Sequence, residues 1–157
     1  MIEHKKILIS SDHAGFELKE ELISYIKDIG LEVEDCGPFE YKSEDDYPDF
    51  IKPVAQKISE NPSLKAIIIG KSGQGEAMCA NRFKKVRAMV YNCLNLNIIK
   101  LSREDNDSNI LSLGAGFITT EDAQEAVRVW LETPFLGEER HLRRIHKIDE
   151  DIKTIEY

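Results

Sequence analysis

Short β-rich runs alternate with helical patterns along almost the whole chain, and this alternation limits the fold more than any other feature of the sequence. "KILIS" (Lys6 to Ser10) reads as a strand; the helix after it places Leu18, Leu22, Tyr25, Ile26 and Ile29 on one face at spacings of three and four, until Gly30 stops it. "LEVEDC" is a second strand, and Ile51, Val54, Ala55 and Ile58 mark a helix begun near Tyr47-Pro48, with proline in its first turn. The beat continues through strand "KAIIIG", a short helix from Glu76 to Phe83, strand "RAMVY", helix Leu96 to Arg103, strand "NILSLG" and helix Glu121 to Glu132. After Pro134, "FLGEERHLRRIHKIDE" reads as a final helix. It carries Leu142, Ile145 and Ile148 on one side, and its other positions are dense in Arg140, His141, Arg143, Arg144, His146 and Lys147. Such α/β alternation requires right-handed crossovers and predicts a parallel sheet covered on both faces. Ligands then gather at the carboxyl ends of the strands, so the loops after strands one, three and five are those that matter.

At 157 residues and 41% hydrophobic content, the chain is expected to form one domain over residues 1–157, with a C-terminal helical extension from about residue 135. A formal charge of −8 repels nucleic-acid backbones and anionic membranes, so neither is expected as a partner. The start "MIEHKKILIS" lacks the apolar stretch of a secretory signal, and no run is long enough to span a membrane; a cytoplasmic location is expected. Cys36, Cys79 and Cys93 have no CxxC spacing and read as reduced, buried small hydrophobes. Four scattered histidines without ligand spacing predict no metal site. The run "KSEDD" (Lys42 to Asp46) reads as a solvated loop.

The chemistry-bearing stretch is "AIIIGKSGQGEA", Ala66 to Ala77. A Walker A loop needs a glycine five positions before its GK, where this chain has Lys65, and a dinucleotide fingerprint needs a third glycine where Met78 stands. Both readings fail. What remains is a turn with backbone amides at a helix N-terminus, a hydroxyl from Ser72 on one side and the Glu76 carboxylate in the first helical turn. Donors aimed at one point stabilise an oxyanion, and a carboxylate beside them moves a proton, a combination suited to enediolate chemistry. On spacing alone, Glu76 is equally well read as complementing the helix dipole.

"SSDHAGFELK" (Ser10 to Lys19), "DYPDF" (Asp46 to Phe50), "GKSGQGEAMCANR" (Gly70 to Arg82), "LSREDNDSNILSLGAG" (Leu101 to Gly116) and "GEERHLRRI" (Gly137 to Ile145) resemble, in order, successive motifs of the ribose-5-phosphate isomerase type B family, which includes the galactose-6-phosphate isomerase subunits. The resemblance implies a Rossmann-like three-layer sandwich with five parallel strands and a homodimer with active sites at the subunit interface; pairing of dimers into a tetramer is a further expectation. It implies interconversion of an aldose phosphate and a ketose phosphate without metal or other cofactor. By the same resemblance, Asp12 and His13 contact the sugar's ring end and its phosphate, and Tyr47 a substrate hydroxyl. Glu76 is the proton-transfer base, in the branch that does not use a cysteine at the position of Gly70, and Ser72 passes protons between sugar oxygens. The amides of Gly73 and Gly75 hold the enediolate, Asn81 braces the loop beside the substrate, Asn106 meets a hydroxyl, and Arg140 and Arg144 bind phosphate on a C-terminal helix reaching the partner.

Taken without the resemblance, each residue has a plainer reading: His13 as a structural hydrogen-bonder, Tyr47 as helix-entry packing, and Arg140 and Arg144 as a solvated helix face. The chain also departs from the family pattern. Asp105 stands where most members have a ring-opening histidine, Gly116 where many have a phosphate-binding arginine, and Lys71 where a small residue is usual. These departures predict slow turnover of ribose 5-phosphate and leave three readings: a ribose-5-phosphate isomerase, an isomerase of another sugar phosphate such as a hexose 6-phosphate, and a non-catalytic sugar-phosphate-binding relative. A phosphoacceptor receiver domain fails, because strand three ends in Gly70 rather than an aspartate.

Overall fold

The computed structural model describes residues 6–150. Five parallel strands, β1 (Lys6–Ser11), β2 (Glu32–Asp35), β3 (Lys65–Gly70), β4 (Ala88–Tyr91) and β5 (Ile110–Gly114), form one sheet in the order β2-β1-β3-β5-β4. The helices are α1 (Phe16–Asp28), α2 (Tyr47–Glu60), α3 (Gln74–Ala80), α4 (Leu96–Glu104), α5 (Thr120–Glu132) and α6 (Glu139–Ile148).

The central strands read as unbroken apolar runs because both of their faces are buried. Ile7, Ile9, Ile67, Ile69, Leu111 and Leu113 point to one side, where Leu22 and Ile26 of α1, Ile99 of α4 and Trp130 of α5 cover them. Leu8, Ile68 and Ile110 point to the other, against Ile51, Val54 and Ile58 of α2 and Ala80 of α3. Each such side chain contributes about 1.5–3 kcal/mol on burial, so this two-sided packing sets the register of the whole sheet.

Several element ends differ from the expected ones for local reasons. Helix α1 closes at Asp28, and Ile29 becomes its cap, 37% exposed rather than part of the buried face. Thr119 caps α5 reciprocally with Asp122, which starts that helix one residue early. Helix α3 runs from Gln74 to Ala80, not Glu76 to Phe83, because Gly73 at φ +78° begins it. Helix α6 spans only Glu139–Ile148, and its buried residue is His141, at 4% exposure, while Leu142 and Ile148 face outward. The sequence counts His141 among the basic positions and gives the apolar side to Leu142, Ile145 and Ile148; in the structure it is His141 that is buried. Cys93 is exposed rather than buried, while Cys36 and Cys79 are half-buried; all three are free thiols.

From β1 the chain turns towards β2, and from β3 towards β4, so the connections leave β1 and β3 in opposite directions. Such a reversal marks the carboxyl ends of the two strands as the place for a ligand crevice. At the opposite end of the sheet, Asp107, at φ +47°, accepts from Arg103 Nη1 at 2.8 Å and Arg87 Nη2 at 3.0 Å, with Lys65 Nζ 3.8 Å away. This cluster pins the α4–β5 turn, and with it Asp105 and Asn106, to the amino-terminal edge. No described helix is long and apolar enough to cross a membrane.

Candidate active site

The crevice is built from two loops. After β1, Asp12 caps a short 3-10 turn, its Oδ1 accepting from the Gly15 N–H at 3.2 Å, and its side chain is buried. Gly15 is required here, since a Cβ would lie 2.6 Å from the Ile69 carbonyl oxygen. Burial pushes the Asp12 carboxyl up from the ordinary aspartate range, the Gly15 hydrogen bond partly offsets this, and the charge of Asp45 adds to the rise.

After β3, the loop Lys71–Gly73 is held from below. Ser112 Oγ donates to the Gly73 carbonyl at 2.6 Å, Asn92 Nδ2 donates to the Ser72 carbonyl at 2.9 Å, and the Ala115 N–H donates to the Gly70 carbonyl at 2.8 Å. Ser72 Oγ accepts from the Gln74 N–H at 3.3 Å, while no described residue accepts from the N–H of Gly73 or Gly75. Those two amides lie at the opening of α3, where a helix leaves donors unpaired.

Glu76 is 4% exposed and folds back over β3, so that a Cβ at Gly70 would overlap its carboxylate. The missing side chain at position 70 is therefore the space the carboxylate occupies. Burial raises the Glu76 pKa above the ordinary glutamate range, its own backbone N–H works against this, and the charge of Asp12 raises it further. A carboxylate poised in this way is a stronger base than one in water. Tyr47 opens α2 and lies over Gly75, where an added Cβ would fall 3.0 Å from its hydroxyl oxygen. Gly70→Ala is expected to displace the Glu76 carboxylate and lower turnover about a hundredfold with the fold intact; circular dichroism and kcat on the same sample check it, and an unchanged kcat would show that the carboxylate need not sit over β3.

Asp12, His13, Tyr47, Gly73, Gly75, Ser72 and Glu76 thus share one end of the sheet. Asp105, Asn106, Arg140 and Arg144 do not join them within the chain. The five residue steps from Lys65 to Gly70 separate the two ends by roughly 16 Å at about 3.3 Å per residue. Helix α6 is tied to the far end by the Leu136 N–H donating to the Glu104 carbonyl at 3.2 Å and the Lys85 N–H to Asp149 Oδ2 at 3.0 Å. Arg140 pairs with Glu138 at 2.9 Å, and both Arg140 and Arg144 are exposed. Asn81 belongs to the far end as well: its amide donates to the Ala88 carbonyl at 3.0 Å and accepts from the Ala88 N–H at 2.8 Å, tying α3 to β4.

Two residues escaped the sequence reading. Asp45, placed there in a solvated run, has a side chain only 6% exposed and meets His13 Nδ1 at 2.6 Å. His141 Nε2 lies 3.4 Å from Asp105 Oδ1, which brings an imidazole from α6 against the turn after α4. Neither was visible from periodicity, because each is defined by a contact between distant segments.

The family described as Ribose/Galactose Isomerase matches residues 7–148. Ribose-5-phosphate isomerase B of Mycolicibacterium paratuberculosis is 33% identical over 149 residues, 95% of this chain and 92% of that protein. A ribose 5-phosphate isomerase structure from Thermotoga maritima superposes with a TM-score of 0.87 at 44% identity, covering 95% of this chain and 100% of that one. The Mycoplasma genitalium ribose-5-phosphate isomerase B with bound ribulose-5-phosphate does so with a TM-score of 0.85 at 35% identity, covering 91% and 93%. With this agreement of sequence and fold over nearly its full length, the chain belongs to the ribose/galactose isomerase family.

Proposed function

We propose that the protein interconverts an aldose phosphate and a ketose phosphate through an enediolate, with ribose 5-phosphate and ribulose 5-phosphate as the pair. The observation that carries this is the buried Glu76 carboxylate seated over Gly70, with raised basicity, next to the unpaired amides of Gly73 and Gly75. Glu76 removes the proton from C2 of the open-chain aldose. The electron pair moves into a C1–C2 double bond, the loop amides hold the resulting oxyanion, and Ser72 exchanges protons between O1 and O2. Return of the proton from Glu76 to C1 completes the ketose. The names of the relatives support the choice of sugar. Incubation in deuterated water tests the reading: deuterium should enter the recovered sugar phosphate, and no exchange with any aldose or ketose phosphate would favour a binding protein.

The phosphate-binding arginines, with Asp105 and Asn106, come from a second copy of the chain. Asp105, Asn106, Arg140 and Arg144 lie at the end of the sheet away from Glu76, so a complete site needs one end from each of two subunits. A two-fold dimer then forms two identical sites. Leu142 and Ile148 of α6, with Leu94, Ile98 and Leu101 on and before α4, are exposed here and suit such an interface. Helix α6, which carries Arg140, Arg143, Arg144 and Lys147, reaches towards the partner's crevice, and pairing of dimers into a tetramer is compatible with this arrangement.

Lys71 supplies part of the charge that an arginine at position 116 brings elsewhere in the family. Its chain runs beside Gly116, where a Cβ would fall 3.1 Å from Lys71 Cγ and 3.0 Å from its carbonyl oxygen. Lys71→Gly is expected to raise KM about tenfold with kcat little changed, the loss of one charge-assisted contact to phosphate. Steady-state kinetics decide this, and an unaltered KM would place the Lys71 ammonium away from the phosphate.

A further inference from the structure

We propose that Asp45 is a positioning residue for the reaction: its carboxylate clamps His13 at both backbone and ring, so that the imidazole presents Nε2–H to the anionic end of the substrate. This rests on the isomerase reading above. Asp45 is the inward residue of its run; its neighbours Glu44 and Asp46 are exposed. Its Oδ1 accepts from the His13 backbone N–H at 3.1 Å and meets the ring Nδ1 at 2.6 Å. Two hydrogen bonds from one residue to one oxygen fix the ring's direction as well as its place. Oδ2 is buried and without a hydrogen-bond partner. A carboxylate withdrawn from water in that state is costly, and a cationic partner offsets the cost.

The contact also determines which ring nitrogen is free. A carboxylate can only accept, so Nδ1 carries a proton, and among the described residues none bonds Nε2. The groups facing His13 are the Asp45 and Asp12 carboxylates and the edge of the Tyr41 ring, whose centroid is 6.4 Å away. Two adjacent carboxylates, with no facing cation among the described residues, favour the imidazolium. Accordingly the His13 pKa is raised, first by the Asp45 hydrogen bond and, against partial burial, by the charges of Asp12 and Asp45. The cation persists below the raised pKa and is lost as pH rises through it, and with it the Nε2–H donor.

Asp45→Asn keeps an acceptor of the same shape and removes the charge, whereas Asp45→Ala removes both. The His13 ring resonance, assigned by its absence in His13→Gln, is titrated by NMR in the ligand-free protein. Its pKa should fall in Asp45→Asn and in Asp45→Ala; an unmoved titration overturns the proposal. In kinetics, KM for ribose 5-phosphate in Asp45→Asn should rise about tenfold above neutral pH and approach the native value in acid, with kcat within about twofold. A loss of kcat that is the same at every pH would mean that Asp45 only holds its loop, and would overturn the proposal as well. Absence of turnover in the native protein would sink the isomerase reading, while the NMR titration would still decide whether Asp45 controls His13.

Discussion

Glu76→Gln is expected to lower kcat roughly a hundredfold or more while leaving KM close to its native value. Glutamine fills the same space over Gly70, so the loop keeps its shape, but an amide cannot carry a proton between adjacent carbons. The same substitution should stabilise the protein at neutral pH. Glu76 has a raised pKa because burial disfavours its charged form, with the charge of Asp12 adding to the effect. In the pH window between its unfolded and folded pKa values the native state binds more protons than the unfolded state, so stability falls as pH rises through that window. Above it the full penalty is present, and a neutral side chain removes it. Each kcal/mol so recovered raises Tm by about 2–4 °C in a chain of this size. The native protein should also lose activity in acid, as pH falls through the raised Glu76 pKa. The measurements are kcat, KM and thermal melting of native and variant protein side by side. A variant with undiminished kcat removes Glu76 from the chemistry; one with lower Tm contradicts the argument that its charge is buried at a cost.

Equimolar mixing of Glu76→Gln with the double variant Arg140→Ala/Arg144→Ala should restore about a quarter of native activity from two inactive parents, provided the subunits exchange. Random reassortment makes half of the dimers mixed. In each mixed dimer one site takes its Glu76 end from the arginine variant and its arginines from the Glu76 variant, and is intact; the other carries both defects. A site contained within one chain has no such route, and the mixture would then stay as inactive as its parents. The expectation follows from where the residues lie: Glu76 and Asp12 close one end of the sheet, while α6 is tied to Glu104 and Lys85 at the other. A monomer with native activity in sedimentation would count equally against the shared site.

Much of this was legible from local chemistry. The strands could be read because Ile7 to Ile9, Ile67 to Ile69 and Leu111 to Leu113 are apolar on both faces, which only a sheet covered on both sides tolerates. The order of elements decides which loops share an end, and so points to Asp12 and to the Ser72–Glu76 loop. The residues misread were those whose environment comes from another segment. Asp45 sits among like charges that are solvated, and only the approach of the β1 loop turns it into the partner of His13. His141 is one basic residue among six on its helix, and only the docking of α6 beside Asp105 buries it.

The sequence by itself determined the parallel α/β layering, the glycine-rich turn with its carboxylate, and the family, because each is written in periodicity or in short fixed spacings that the backbone must obey. Only the tertiary structure decided that Glu76 occupies the space left at Gly70, that Asp45 grips His13, and that the arginines stand at the far end of the sheet from the base. Those are contacts across long loops, and their geometry depends on how whole elements pack, which no local pattern of residues specifies.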